Sequence, residues 1–167
     1  MTTAETVDQV IGAALAAAEV TYERTGPGRY LVTLPGQHKL ATMCWLIAGE
    51  HALLVEAFVM RAPEENREEV YAFVLRRNGR LYGVAYALDG NGDVYLVGRV
   101  PLHAVTADEI DRLLGSVLSY ADEDFDRLLE LGYGDAIRRE WAWRVKRGEP
   151  LHNLAAFARF ADPDRRR

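Results

Sequence analysis

The fold is decided between Tyr30 and Val100, a stretch that begins with YLVTLPGQHKLATMCWLIAGEHALLVEAFVM (residues 30–60). Short apolar runs bounded by glycine, proline and polar residues are typical of strands. We therefore predict three consecutive strands, Tyr30–Leu34, Lys39–Ile47 and His51–Met60. Both alternating faces of the second and third strands are largely apolar. This pattern predicts that helices or a second subunit cover much of both faces of the sheet.

The rest of this stretch predicts a helix followed by a two-strand hairpin. Pro63 is placed in the first turn of the helix, where a missing N–H is tolerated, and Asn78-Gly79 ends it. The hairpin strands are Leu81–Leu88 and Val94–Val100, joined by the turn Asp89–Asp93. In the first hairpin strand, Gly83, Ala85 and Ala87 form a small face suited to packing under a helix.

Helices are also predicted on both sides of the stretch. Residues 4–20 repeat apolar side chains at spacings of three and four, as an amphipathic helix does, and Thr21–Arg24 is a short extended piece. Thr106 and Glu109 form a capping box for a helix that ends at Gly132. Two more helices follow, about Asp135–Lys146 and Leu151–Phe160. The order α-β-β-β-α-β-β-α, plus C-terminal helices, predicts an α+β fold with an antiparallel sheet.

Composition is that of an ordinary globular domain, since the 167 residues are 49% hydrophobic and 27% charged. We expect a body at residues 1–132, a helical extension packed on it at 133–162, and a disordered tail at 163–167. No secretory signal or membrane-spanning run is visible, and Cys44 is the only cysteine. These features predict a cytoplasmic protein without a membrane partner.

Charge is unevenly distributed along the chain. Residues 1–131 hold 11 Lys/Arg and 20 Asp/Glu, whereas residues 132–167 hold 9 and 5, for a net charge of -5. An acidic body with a basic end disfavours nucleic-acid binding by the whole domain. A local basic contact through Arg138–Arg147 stays open.

No group of residues predicts catalysis, a metal or a cofactor. The turn Asp89–Asp93 resembles the first half of a calcium loop, but Val94 and Val100 stand where glycine and glutamate are needed. Cys44 lies within a strand, with no loop or helix N-terminus to lower its pKa. The histidines lack metal-ligand spacing; they are His38, His51, His103 and His152. We therefore predict a chain that is not an enzyme.

Glu56 is the one acid inside an apolar strand. A carboxylate in such a place could serve a hydrolase as general base, as the thiol of Cys44 could serve as a nucleophile. A salt bridge across the sheet, or a charge that protects a sheet edge from aggregation, is the favoured interpretation.

The segment Arg138–Arg147 combines two tryptophans with five cations. On a helix, Trp143 points about 160° away from Trp141, so one ring can enter the core while the other meets a partner. Alternatively, both rings pack on the body and the arginines pair with its acids. The candidate partner-contact residues are Trp143, Arg138, Arg139, Arg144, Tyr82 and Tyr86.

Seven stretches resemble the actinobacterial branch of the YbjN-domain family. They are Leu34–Leu40, Cys44-Trp45, Val55–Arg61, Leu75–Asn78, Leu81–Val84, Asp93–Gly98 and Arg138–Arg144. The family is described as sensory-transduction regulators, and its fold is similar to that of type III secretion chaperones: a twisted antiparallel sheet flanked by helices, usually paired as a homodimer. The resemblance brings no catalytic motif with it.

Together these expectations favour a non-catalytic, protein-binding or regulatory module that acts as a homodimer and captures an extended or helical segment on a groove or sheet face. The alternative is a sensor domain that responds to a small molecule in a pocket. A hydrolase is the least favoured of the three.

Overall fold

The computed structural model describes residues 3–161, which form one sheet flanked by helices. The strands are β1 (Thr21–Gly26), β2 (Arg29–Pro35), β3 (Ala41–Ala48), β4 (Ala52–Met60), β5 (Ala85–Leu88) and β6 (Val94–Pro101). The α-helices are α1 (Thr3–Ala17), α2 (Arg67–Asn78), α3 (Ala107–Glu123), α4 (Phe125–Arg147) and α5 (Ala158–Ala161), with 3-10 turns at Leu102–Ala104 and His152–Phe157. The sheet is antiparallel, in the order β1-β2-β3-β4-β6-β5.

The core lies between one face of the sheet and helices α1 and α3. Alternate residues of β4 point into it and are at most 1% exposed: Leu53, Val55, Ala57 and Val59. The helices contribute fully buried side chains at helical spacing, which are Ile11 and Leu15 of α1 and Ile110, Leu113 and Val117 of α3. Burial of this apolar surface is the main term that stabilises the fold, at about 25 cal/mol per Å².

The predicted order of elements is confirmed, with one strand added at the edge. The extended piece Thr21–Arg24 belongs to β1, which pairs with β2 from Thr21 opposite Thr33 to Gly26 opposite Arg29. Its side chains are exposed and polar, so the alternation that marks a half-buried strand is missing. A polar edge strand is therefore hard to recognise from sequence.

The placement of Pro63 in the first turn of α2 is wrong, because that helix begins at Arg67. The loop before it docks on α4 instead. The amides of Glu64 and Glu65 donate to the carbonyl oxygen of Gly132 at 3.0 and 3.2 Å. A Cβ added at Gly132 would lie 3.0 Å from the Cβ of Pro63, so the loop approaches the helix as closely as a glycine permits.

The predicted helix end at Gly132 is also wrong, because this glycine lies within a helix and contacts the loop at Pro63. Helix α3 stops earlier, and Asp124, with φ −83° and ψ −12°, separates it from α4. Helix α4 runs through Gly132 and ends at Gly148, whose φ of 65° is left-handed. A glycine after an apolar helical run reads as a helix end, whereas here it makes room for another segment.

The strand predicted at Leu81–Leu88 is shorter, because β5 begins at Ala85. Gly83 has a φ of 72°, and a Cβ there would lie 2.6 Å from the side chain of Leu113 in α3. The predicted small face is therefore wrong in part. Gly83 lies next to the side chain of Leu113, but all three residues of that face, Gly83, Ala85 and Ala87, are exposed.

The capping box of α3 is half formed. The amide of Glu109 donates to Oγ1 of Thr106 at 3.1 Å, as predicted. The carboxylate of Glu109 does not return to the backbone of the cap, since it accepts the hydroxyl proton of Tyr82 at 3.0 Å. The cap thereby joins α3 to the segment before β5.

The predicted boundary between residues 1–132 and 133–162 falls inside the continuous helix α4 and stays a prediction. The tail predicted at 163–167 lies outside the described residues. Within residues 3–161, no helix is both long and apolar enough to cross a membrane.

Candidate protein-binding surface

The sheet face that points away from α1 and α3 is also apolar. We call it the open face and define it by Leu31, Met43, Trp45, Ile47, Leu54, Glu56, Phe58, Tyr95 and Val97. Its side chains are half-buried, and Met43 is 40% exposed. The rings of Phe58 and Tyr95 meet edge to face with centroids 5.5 Å apart. The helices that form the core with this sheet lie on its opposite face.

Glu56 stands at the centre of the open face. Its register partners are Trp45 on β3 and Val97 on β6, and both are apolar. Among residues 3–161 it forms no ion pair, so the predicted salt bridge across the sheet is wrong in this part of the chain. Because β4 has a neighbour on each side, Glu56 does not protect a sheet edge either.

Two arginines stand at one end of the open face. The register aligns Arg29, Ile47, Leu54 and Arg99 in a row across β2, β3, β4 and β6. Arg99 follows Val97 by two residues, so it is the diagonal neighbour of Glu56 on the next strand. The open face therefore carries one acid and two cations among apolar side chains.

A groove lies where the end of β4 meets α4. It encloses about 430 Å³, and its floor and walls are mostly apolar. The ammonium of Lys39 reaches into it, donates to the carbonyl oxygen of Phe58 at 2.8 Å, and lies 5.4 and 5.9 Å from the ring centroids of Phe58 and Phe125. Burial without a counter-charge lowers the pKa of Lys39 to about 8.

The loop that carries Lys39 is held by Asp122 near the end of α3. Its Oδ1 accepts the amide protons of Gln37, His38 and Lys39 at 3.0, 2.9 and 2.9 Å. Burial alone would raise the pKa of Asp122, but these hydrogen bonds bring it below its ordinary value. The neighbouring Leu40, which the sequence places on a strand, is 94% exposed in this loop.

Asp124 organises a second buried cluster. Its Oδ2 accepts the hydroxyl proton of Tyr86 at 2.8 Å and lies 2.8 Å from Nε of Arg77. Burial raises the pKa of the Tyr86 hydroxyl, and the charge of Asp124 adds to the effect. Tyr86 is 6% exposed, so it serves the core here and not a surface. Sequence gave no signal for either aspartate cluster, since the partners are far apart in the chain.

The other candidate contacts lie at two separate places. Tyr82 is 45% exposed beside Glu109 and Arg112. Trp143 is 47% exposed on α4, with the guanidinium of Arg147 4.7 Å from its ring centroid. Of the contacts predicted on α4, Trp143 and Arg139 line one shallow surface, and Tyr82 is not among the residues that line it.

Two arginines of that segment pair within their own helix. Arg138 bonds Glu130 at 2.7 Å and also Asp135, and Arg144 bonds Glu140 at 2.6 Å. Arg139 is exposed and lines a shallow surface with Trp143. Arg138 thus pairs with one acid of the predicted body at residues 1–132, Glu130, whereas the other two acids lie in the predicted extension.

The residues weighed for chemistry have structural surroundings. Cys44 is buried, and burial raises the pKa of its thiol to about 12, which suppresses the thiolate. Oδ1 of Asp89 accepts the amides of Asn91 and Asp93 at 2.8 and 2.9 Å, as a tight turn requires. In the described part of the chain, no group of three or more His, Cys, Asp and Glu is placed to hold a metal.

Comparison with protein families gives a match over most of the chain. The model of the YbjN family, described as "Putative bacterial sensory transduction regulator", matches residues 8–130. An uncharacterised protein of Mycobacterium tuberculosis (strain ATCC 25618 / H37Rv) is 56% identical over 158 residues, which is 92% of this chain and 86% of that protein. One from Mycobacterium leprae (strain TN) is 51% identical over 160 residues, covering 93% and 87%.

Solved structures show the same fold at low sequence identity. A chain of the ExsC–ExsE complex is 17% identical with a TM-score of 0.56, covering 77% of this chain and 97% of that one. A chain from the structure of the Yersinia pestis type III secretion chaperone SycH, in complex with a stable fragment of YscM2, is 18% identical with a TM-score of 0.52, covering 69% and 96%. The fold is therefore that of type III secretion chaperones.

Proposed function

The chain belongs to the YbjN family, and from that premise we propose that it acts in the cytoplasm as a protein-binding module, without catalytic chemistry of its own, and that it does so as a homodimer. The open face carries this proposal. A contiguous apolar patch on a monomer commonly marks an interaction site. Aromatic side chains such as those of Trp45, Phe58 and Tyr95 are the residues that anchor such interfaces.

The solved structures of this fold support the proposal. They were obtained with protein partners, ExsC with ExsE and SycH with a fragment of YscM2. The buried Cys44 and the surroundings of Asp89 add no reactive group. A role in binding is thus favoured over a role in hydrolysis.

The charges on the open face favour a second copy as its occupant. A two-fold axis places the same patch against itself, so residue i of one copy contacts j of the other and j contacts i. Glu56 and Arg99 are diagonal neighbours on adjacent strands. An axis that passes between them would bring Glu56 of each copy to Arg99 of the other, and both charges would gain a partner.

A charge reversal tests this pairing. We expect the wild type to be a dimer at micromolar concentration in size-exclusion chromatography with light scattering. Glu56→Arg and Arg99→Glu should each weaken dimerisation roughly ten- to a hundredfold, because like charges would then meet in the interface. The double variant should restore it. Asp111→Arg, an exposed reversal on α3, serves as the control and should leave the dimer intact.

A wild type that stays monomeric at these concentrations contradicts the homodimer. Dimers that survive both single reversals contradict the open face as the interface. The broader binding role is tested by comparing the proteins retained by the wild type with those retained by Glu56→Arg. Equal sets of retained proteins would oppose a binding role for this face.

A further inference from the structure

We propose that the groove beside Lys39 binds an amphiphilic carboxylate, a small molecule with an apolar body and one anionic head group that pairs with the lysine. This site lies between β4 and α4, at the corner of the open face where Phe58 stands. The inference goes beyond the proposed protein-binding role and does not depend on it. It gives the alternative of a small-molecule sensor a specific location and a ligand class.

The apolar body of the ligand follows from the size and lining of the groove. About 430 Å³ lies within the roughly 300–1,000 Å³ of sites that hold small molecules. The walls are aromatic and aliphatic, from Phe58, Phe125, Leu129, Ile137 and Phe157. An alkyl chain that enters this groove leaves water for apolar contact on several sides.

The anionic head follows from the charges. Among residues 3–161, Lys39 and Arg61 are the charged residues of the lining and none of the lining residues is an acid, although the chain as a whole carries a net charge of -5. The Lys39 ammonium has three N–H donors, and its hydrogen bond in the described structure goes to the carbonyl oxygen of Phe58. It thus has donors to spare in an apolar environment, where an unpaired charge is unfavourable.

A carboxylate resolves this shortage of partners better than a neutral or a cationic head group. Its two oxygens accept hydrogen bonds from the ammonium and neutralise the charge in place. A neutral alcohol leaves the ammonium unpaired and more deeply buried, and a cationic head is repelled. The groove is therefore matched to one sign of charge and to an apolar tail.

The helical end of the chain completes the site. Tyr133, Ile137 and Phe157 line the groove and lie beyond residue 130, where the family match ends. The Asp122 hydrogen bonds fix the loop from which Lys39 extends. The groove is thus formed jointly by the family core and the C-terminal helices, which gives those helices a role in binding.

Calorimetric titration of the full-length protein tests the proposal with three probes of equal chain length: decanoate, decanol and decyltrimethylammonium, each below its micelle concentration. Decanoate should bind at least tenfold more tightly than the other two. Lys39→Met keeps an unbranched side chain and removes the charge, so it should weaken decanoate binding roughly tenfold or more without weakening decanol binding. Lys146→Met, an exposed cation elsewhere on α4, is the matched control and should bind as the wild type does.

Ile137→Trp fills the groove and should abolish decanoate binding with the unfolding temperature retained. Equal affinity for decanoate and decanol, undiminished decanoate binding by Lys39→Met, or no binding of any probe would each overturn the proposal. The proposal would also be overturned if Ile137→Trp converted a dimer to a monomer and the wild type bound no probe. A second copy of the chain would then fill the groove. The charge reversals at Glu56 and Arg99 report on the open face separately, so either proposal can fail without the other.

Discussion

Oδ1 of Asp122 accepts a hydrogen bond of 2.9 Å from the backbone amide of Lys39, across 83 positions of the sequence. The bond joins the end of α3 to the loop between β2 and β3. It fixes the point from which the lysine side chain extends into the groove. The Asp122 hydrogen bond, which lies near the core face of the sheet, thus positions the Lys39 ammonium near the open face.

Asp122→Asn tests the contribution of this contact to stability. The variant keeps the shape of the side chain and removes the charge that three amides share, so we expect a loss of about 1–3 kcal/mol in the free energy of unfolding at pH 7. Denaturation by urea measures it. Asp111→Asn, an exposed acid on the same helix, should change stability little. Equal stability of the two variants would contradict the role of Asp122.

The same contact predicts a dependence on acid. The pKa of Asp122 is lower in the folded chain than its ordinary value of 3.8. A depressed carboxyl pKa contributes stability above the unfolded pKa, and this contribution is lost as the pH falls through the folded value. The stability difference between wild type and Asp122→Asn should therefore shrink below about pH 4. A difference that persists there would contradict the prediction.

Tyr86→Phe tests the burial of a residue that the sequence placed at an interface. The variant removes the hydroxyl that donates a hydrogen bond to Oδ2 of Asp124 at 2.8 Å. It should therefore destabilise the fold by about 1–2 kcal/mol. Its oligomeric state should not change, because the ring is 6% exposed. Loss of dimer without loss of stability would show that Tyr86 contacts a partner after all. Tyr82→Phe is the exposed comparison.

The sequence was sufficient for the fold where periodicity and turn chemistry agree. The apolar run that contains Leu53–Val59 and the turn Asp89–Asp93 both predicted local structure that depends on neighbouring residues. It was insufficient for the sites. Contacts such as Asp122 to Lys39 join distant segments, and Glu56 sits among apolar register partners that no spacing rule supplies. The resemblance to the family identified the fold but no groove.

The lowered pKa of Lys39 predicts that the free energy of unfolding rises at alkaline pH. Its folded pKa of about 8 lies below the ordinary 10.5, so the unfolded chain binds more protons between these values. The penalty of the buried ammonium is therefore full below pH 8 and is relieved as the pH rises toward 10.5. Arg61 and Tyr133 face the same groove, and burial raises the pKa of Tyr133, which keeps that hydroxyl neutral. The gain in the free energy of unfolding between pH 7 and pH 10 should be smaller in Lys39→Met than in the wild type. Equal gains would contradict the assignment of this gain to Lys39.

Two helix glycines make a matched pair that separates helix propensity from packing. Alanine is favoured over glycine within a helix by about 1 kcal/mol. Gly115 in α3 has open space where a Cβ would stand, so Gly115→Ala should stabilise the fold by about 0.5–1 kcal/mol. At Gly132 the new Cβ would lie 3.0 Å from the Cβ of Pro63. Two hydrogen bonds hold the loop that contains Pro63 to the carbonyl oxygen of Gly132. Gly132→Ala should therefore destabilise, because the loop must move away from the helix. Chemical denaturation of both variants measures the two signs. A stabilising Gly132→Ala would mean that the loop yields freely and that the glycine serves no packing role.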